Sequence, residues 1–188
     1  MTDVYKRLAK KLDKLPHGFP ATDSGVELQI LRKIFSDEDA ETAVQLKVIP
    51  ETVEKISGRL GKAASDTRET LERMKNRGQI QSTMWRGERR YSLAPFVVGI
   101  LEYQLPFIDR ELAELCEAYA PHLAVTLGGT DPGLARVVPV QQTIDGRPTV
   151  LAFEDTRKMI EGARSFRVMD CICRKEKALV GEPCSHTL

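Results

Sequence analysis

Between Pro50 and Leu93 the hydrophobic period of this chain switches from helical to alternating, and glycine marks each change. Pro50 suits the opening of a helix. Val53, Ile56 and Leu60 then recur at helical spacing, and Gly61 follows as a stop. A second helix is predicted from a cap at Ser65 or Asp66, with Thr67, Leu71 and Met74 turned inward, closing at Asn76-Arg77-Gly78. The runs Ile80–Trp85 and Arg89–Leu93 alternate, carry β-branched and aromatic residues, and flank Arg86-Gly87-Glu88, which predicts a hairpin with Trp85 packed against the helices. Helix, tight turn, helix and hairpin within some forty residues leave few ways to build a core.

Upstream, Tyr5, Leu8, Leu12 and Leu15 predict a helix over 3–15, and Pro16 to Ser24 is turn chemistry with His17 solvated. Val26, Ile30, Leu31 and Ile34 mark a helix ending near Phe35. Ser36 followed by Asp39 has the form of a helix start, with the helix running to about Leu46. The order of elements over 24–94 is that of a winged helix-turn-helix. The stretch Thr52–Ile80 resembles the helix-turn-helix of MarR- and ArsR-like regulators, through Ile56, Leu60 and Gly61 before the turn, Leu71 and Met74 in the second helix, and Gly78 leading into the wing. From Lys62 to Arg90 eight basic side chains face four acidic ones (Asp66, Glu69, Glu72, Glu88), a local balance of +4. Because phosphate contacts dominate affinity for DNA, Arg68, Arg73, Arg86, Arg89 and Arg90 are the candidate DNA contacts. Asp66 and Glu69 on the exposed start of the second helix oppose that role.

After Leu93 two further helices are predicted, over 95–105 and 109–119, with Pro121 ending the second, His122 free to cap its carbonyls and Cys116 in the core. Gly128–Gly133 reads as the main linker; it lacks the strand–helix context of a phosphate loop. Asp145-Gly146 joins two alternating runs, 136–144 and 148–152, in a hairpin. A short helix over 154–162 and a strand over 165–169 then deliver the chain to Cys171.

Three of the four cysteines, Cys171, Cys173 and Cys184, lie in the last eighteen residues. That density suits a metal or iron–sulfur site more than a disulfide framework. If the backbone bends out of a flat strand, both sulfurs of Cys171-Ile172-Cys173 face one ion. Arg174 and Lys175 favour the thiolates. His186 would complete a Cys3His zinc set, whereas a cluster would call for a fourth cysteine.

Three separated segments, Val4-Tyr-Lys-Arg-Leu-Ala through Leu15-Pro-His-Gly-Phe-Pro-Ala-Thr-Asp-Ser-Gly-Val-Glu-Leu-Gln-Ile-Leu-Arg32, Phe96-Val-Val-Gly-Ile-Leu-Glu-Tyr-Gln104 and Cys171-Ile-Cys-Arg-Lys-Glu176, together resemble the N-terminal part of a bacterial 4Fe-4S ferredoxin-type family. In that family a winged-helix module and a small α+β segment precede a C-terminal cluster-binding domain. The resemblance implies ligation of a 4Fe-4S cluster in the intact protein by Cys171, Cys173 and Cys184, and a chain that is the N-terminal part of something longer. The family's C-x2-C-x2-C-x3-C run is absent here.

The expected architecture is therefore α+β and mainly helical: a leading helix and loop (1–23), a winged helix-turn-helix domain (24–94), connecting helices (95–127) and a small α+β segment ending in the cysteine cluster (134–188). The expected function is the regulatory or docking part of a cytoplasmic, ferredoxin-like electron-transfer or redox-sensing protein. Its partner would be a redox protein or its own C-terminal ferredoxin domain. The alternatives are a DNA-binding regulator sensing metal or redox state, with a homodimer in view, and a zinc-stabilised interaction module. A hydrophobic fraction of 41%, charge of 29% and net charge of +1 over 188 residues describe an ordinary globular chain, without a field that would recruit nucleic acid or membrane. No apolar run has membrane-spanning length. No Ser/His/Asp or paired-carboxylate arrangement is recognisable, so no enzymatic activity is expected.

Overall fold

In the computed structural model the N-terminal helical stripes converge on one core. The structure describes residues 3–15, 17–129, 153–165 and 168–185. The elements are α1 (Val4–Leu12), α2 (Val26–Ile34), α3 (Asp37–Gln45), α4 (Val53–Leu60), α5 (Ala64–Asn76), β1 (Gln81–Trp85), β2 (Glu88–Ser92), a single turn α6 (Leu101–Tyr103), α7 (Arg110–Gly129), α8 (Phe153–Gly162) and α9 (Ile172–Leu179). The fold is mainly helical α+β with one two-stranded antiparallel sheet among the described residues.

Each stripe buries the side chains its spacing selects. Leu8 and Leu12 of α1, Ile30 and Leu31 of α2, Ile56 of α4, and Leu71 and Met74 of α5 are all inaccessible to water. At roughly 1.5–3 kcal/mol for each fully buried large aliphatic side chain, this stripe-to-core match is the principal stabilising term. Polar groups fix how the helices cross. The Tyr5 hydroxyl has the Asp37 carboxylate (2.7 Å) and the Phe35 carbonyl (3.0 Å) as acceptors for its single proton, tying α1 to the α2–α3 corner. Burial, reinforced by Asp37, pushes the Tyr5 hydroxyl up to about 12, so it stays a donor throughout the physiological range. Lys11 donates to the carbonyls of Val44 and Leu46, which α3 leaves without partners at its C-terminus.

Ser36 caps α3 as expected, accepting from the Asp39 backbone N–H at 3.2 Å. The α4–α5 corner follows the spacing only in part. Gly61 ends α4 in the left-handed conformation (φ 64°). However, α4 starts after Thr52, not at Pro50, and α5 starts at Ala64 with Ala63 as its uncapped N-cap, two to three residues ahead of the expected cap at Ser65 or Asp66. The hairpin register pairs Gln81 with Ser92 and Trp85 with Glu88, and the strand edge continues through Glu51, whose backbone pairs with Tyr91.

Several expectations after Leu93 need correction. The segment 96–100 is irregular, with extended backbone at Val97 and Val98, and only Leu101–Tyr103 is helical. Its apolar period comes from alternate burial of Phe96 and Ile100 around a bend, which matches a helical stripe by count. Pro121 does not end its helix: α7 runs through it to Gly129. Pro121 is exposed, and its ring removes one amide donor from the helix. Ser165, Val168, Met169 and Asp170 form no strand. Val168 and Met169, 94% and 70% exposed, have no sheet to join among the described residues. Of the linker expected over Gly128–Gly133, Gly128 and Gly129 belong instead to α7; its remainder and the hairpin over 136–152 lie outside the described residues.

An aromatic corner of the same core joins α7 to the rest. Phe19, Phe96 and Tyr119 stack in a triangle with ring centroids 4.7, 5.1 and 6.1 Å apart, and the Tyr119 hydroxyl donates to the Pro20 carbonyl (3.0 Å). His17 is not simply solvated, because its Nδ1 contacts the Val97 carbonyl beside this triangle. His122 lies inside α7 and stacks on Tyr119 rather than capping a helix end.

Candidate functional site

The pair Cys171–Cys173 opens α9, with Cys171 as its N-cap. The expected bend in a strand is thus replaced by the start of a helix, which has the same effect of bringing two sulfurs to one side. Three contacts fix the helix. Ile172 is buried, the Lys175 ammonium donates to the Leu105 carbonyl (2.8 Å), and the Lys177 ammonium pairs with Glu117 of α7 (2.7 Å). Lys175 therefore points toward the 101–107 turn.

The two thiols differ in their electrostatics. Cys171 is exposed, and the backbone N–H groups of Arg174 and then Cys173 hold its thiol below the ordinary range, with Arg174's charge adding to them. This is the stabilisation that a helix N-terminus gives an anion. Cys173 is shifted the other way, by partial desolvation first and by the neighbouring Cys171 second. Of two thiols in contact, Cys171 is therefore the readier to ionise. Glu176, one turn along α9, is raised by burial first and by Glu117 second.

Cys184 is exposed and follows the opposite end of α9, after the left-handed Gly181 (φ 89°). Eight helical residues separate the two ends by on the order of 12 Å. Among the described residues no three Cys, His, Asp or Glu side chains come together in a metal-binding group. His186 lies outside the described residues. The structure thus unites two of the four sequence candidates.

Cys116, by contrast, is buried in α7, as its spacing predicts, and burial pushes its thiol up to about 12. Titration of the native chain with a thiol reagent at pH 8 is expected to modify three cysteines rapidly and the fourth only on unfolding. Four rapid equivalents would show that α7 opens readily.

The candidate DNA contacts are distributed differently. Arg73 pairs with the fully buried Asp39 (2.6 Å), Arg89 with Glu72 (3.3 Å), Arg68 with Glu54 (3.5 Å) and Arg90 with Glu88 (3.3 Å). Acids thus hold four of the five guanidinium groups, and two of them, Asp39 and Glu54, lie outside the stretch 62–90 over which the local charge balance runs. Arg86 sits at the hairpin tip in a left-handed conformation (φ 51°), 6.0 Å above the ring of Trp85. Trp85 itself is 55% exposed, because the hairpin projects past the helices it was expected to cover.

No helix among the described residues is long and apolar enough to cross a membrane. No family model, curated protein or solved structure matches the chain.

Proposed function

We propose that the chain is the N-terminal regulatory and docking part of a cytoplasmic, ferredoxin-like iron–sulfur protein acting in electron transfer or redox sensing. The observation that carries this reading is the exposed Cys171–Cys173 pair at the start of an anchored helix, with one sulfur already favoured as thiolate by two backbone N–H groups. Thiolate is the form that binds iron or zinc.

The donor chemistry fits a cluster; the count fits only in part. Cys171 and Cys173 supply two ligands on one side, Cys184 is the third candidate, and a redox partner or a C-terminal ferredoxin domain supplies what remains. A bound 4Fe-4S cluster would supply one-electron transfer. The residues of this chain hold the sulfurs: Ile172, Lys175 and Lys177 seat α9, and the α9 N-terminus stabilises the anionic ligand. The same reading takes α2–α5 and the hairpin as a winged helix-turn-helix serving as scaffold; the left-handed Gly61 between α4 and α5, with the hairpin directly after, supports it.

The test is iron, zinc and acid-labile sulfide per chain after anaerobic purification, with Cys171→Ser and Cys173→Ser beside the parent. Matching iron and sulfide, lost by at least about tenfold in either variant, is the expected result. Zinc without sulfide would replace this reading with a zinc-stabilised interaction module, and neither metal would sink both.

The rival reading, a winged-helix DNA-binding regulator, is favoured by the exposed hairpin tip with Arg86 over Trp85. It requires DNA retention that weakens steeply with salt and falls in Arg86→Ala. Absence of retention at low salt would remove it.

A further inference from the structure

Two apolar surfaces of this chain are exposed to solvent. One is an open groove of about 470 Å3 between the end of α5, the start of β1 and the 101–107 turn. Tyr103, Phe107 and Met169 contribute to it while remaining 40%, 50% and 70% exposed, and Lys75 and Asn76 form part of its rim. The other is α8, where every residue from Arg157 to Gly162 is exposed, including Met159 (63%) and Ile160 (54%).

A ten-residue helix with Met159 and Ile160 in water is not stable by itself. Isolated helices shorter than about 12–15 residues are marginal even in favourable sequences, and helices in proteins owe their stability mainly to packing of an apolar face. The ion pair Arg157–Glu161 (2.7 Å) adds only about 0.3–0.5 kcal/mol. Something must therefore cover Met159 and Ile160 whenever α8 is formed.

We infer that α8 docks through Met159 and Ile160 into the groove formed by Tyr103, Phe107 and Met169 of the same chain. Chain continuity selects this occupant over a second copy or a foreign protein. Met169 already lies in the groove, and the seven steps from Gly162 to Met169 reach at most about 25 Å, so the groove is within the tether of α8. A tether that short holds the helix at an effective concentration in the millimolar range, which a weak apolar contact can exploit. The groove also adjoins the cysteine pair: Met169 is two residues before Cys171, and Leu105 accepts from Lys175 of α9. Docking of α8 thus covers the approach to Cys171, and its release opens that approach. The inference stands on the two surfaces and the tether, and does not depend on what Cys171 and Cys173 bind.

Hydrogen exchange of the full chain, followed by peptide mass, tests it. Amides of 157–162 are expected to exchange at least about tenfold more slowly than in the free peptide. That protection is expected to vanish in Met159→Asp/Ile160→Asp and in Phe107→Asp, while α2 and α5 keep theirs. All three side chains are half-exposed or more, so the variants fold, and unchanged core protection verifies it. Unprotected exchange in the parent, or protection surviving both changes, overturns the inference. Protection lost on simple dilution overturns it in favour of a second copy. The same pattern with Cys171→Ser and Cys173→Ser in place separates this result from the fate of the metal-site reading.

Discussion

Replacement of Arg73 by methionine is expected to lower the stability of the chain by about 3 kcal/mol, read as a fall in the urea midpoint at constant slope. Asp39 is fully buried in the first turn of α3, and Arg73 of α5 is its closest cation at 2.6 Å. Gln79 donates a second hydrogen bond to Asp39 (3.1 Å) and a third group, Arg77, stands off at 3.9 Å. Removing Arg73 leaves a carboxylate in the interior with only these weaker partners, and uncompensated buried charge is among the costliest single defects. The lower end of the usual 3–5 kcal/mol range applies because Arg73 is itself 39% exposed and Arg77 remains. Asp39→Asn, which removes the charge and keeps the shape, is expected to cost less than Arg73→Met. In the double variant the two losses are expected to add to well under their sum, because each change removes the other's penalty. A loss below about 1 kcal/mol for Arg73→Met would show that the α3–α5 junction is held by packing alone. The same pair bears on DNA binding, since an arginine engaged by a buried carboxylate would have to abandon it to reach phosphate.

How much of this was legible in the sequence depends on whether an element is set locally. Stripes such as Leu8/Leu12 and Leu71/Met74 are fixed by spacing within one helix, so their burial follows directly from the pattern. Ser36 as N-cap and Gly61 as helix stop are also local. The segment 96–100 is different: its course is set by the Phe19–Phe96–Tyr119 triangle, whose members lie up to a hundred residues apart. The same holds for the ion pairs of the candidate DNA contacts, where Arg73 is matched by Asp39, thirty-four residues upstream. At the cysteine site, spacing identifies Cys171 and Cys173 as neighbours, but their helix start depends on Lys175 and Lys177 finding Leu105 and Glu117 some sixty to seventy residues away. The buried Gln79, which holds the Ile34 carbonyl at 2.7 Å, escaped notice for that reason. A lone Gln after a helix-ending glycine was its only signal.

Gly78→Ala and Gly61→Ala form a matched pair in which the same backbone cost meets opposite surroundings. Both glycines follow a helix in the left-handed region, with φ of 68° and 64°. An alanine there costs about 1–2 kcal/mol from its own backbone. At Gly61 an added Cβ meets nothing within 4 Å, so the expected loss stays at that value. At Gly78 the Cβ would fall 2.4 Å from the Tyr103 carbonyl oxygen and 2.8 Å from its carbon. That obstacle is backbone and cannot rotate away. The 101–105 turn is also pinned to the end of α5, because Gln104 donates to the carbonyls of Arg77 and Gly78 at 3.1 Å each. Relief of the clash therefore requires the turn to move and those bonds to lengthen, an overpacking cost of about 1–3 kcal/mol on top of the conformational one. A total of roughly 2–5 kcal/mol is expected for Gly78→Ala against about 1–2 for Gly61→Ala. The displacement would carry further, since Tyr103 contributes to the groove and Leu105 holds Lys175 at the start of α9. The modification rate of Cys171 is expected to change in Gly78→Ala under native conditions and to stay unchanged in Gly61→Ala. Equal stability losses in the two variants would mean that Tyr103 does not press on Gly78, and with it would go the mechanical link from α5 to the cysteine pair.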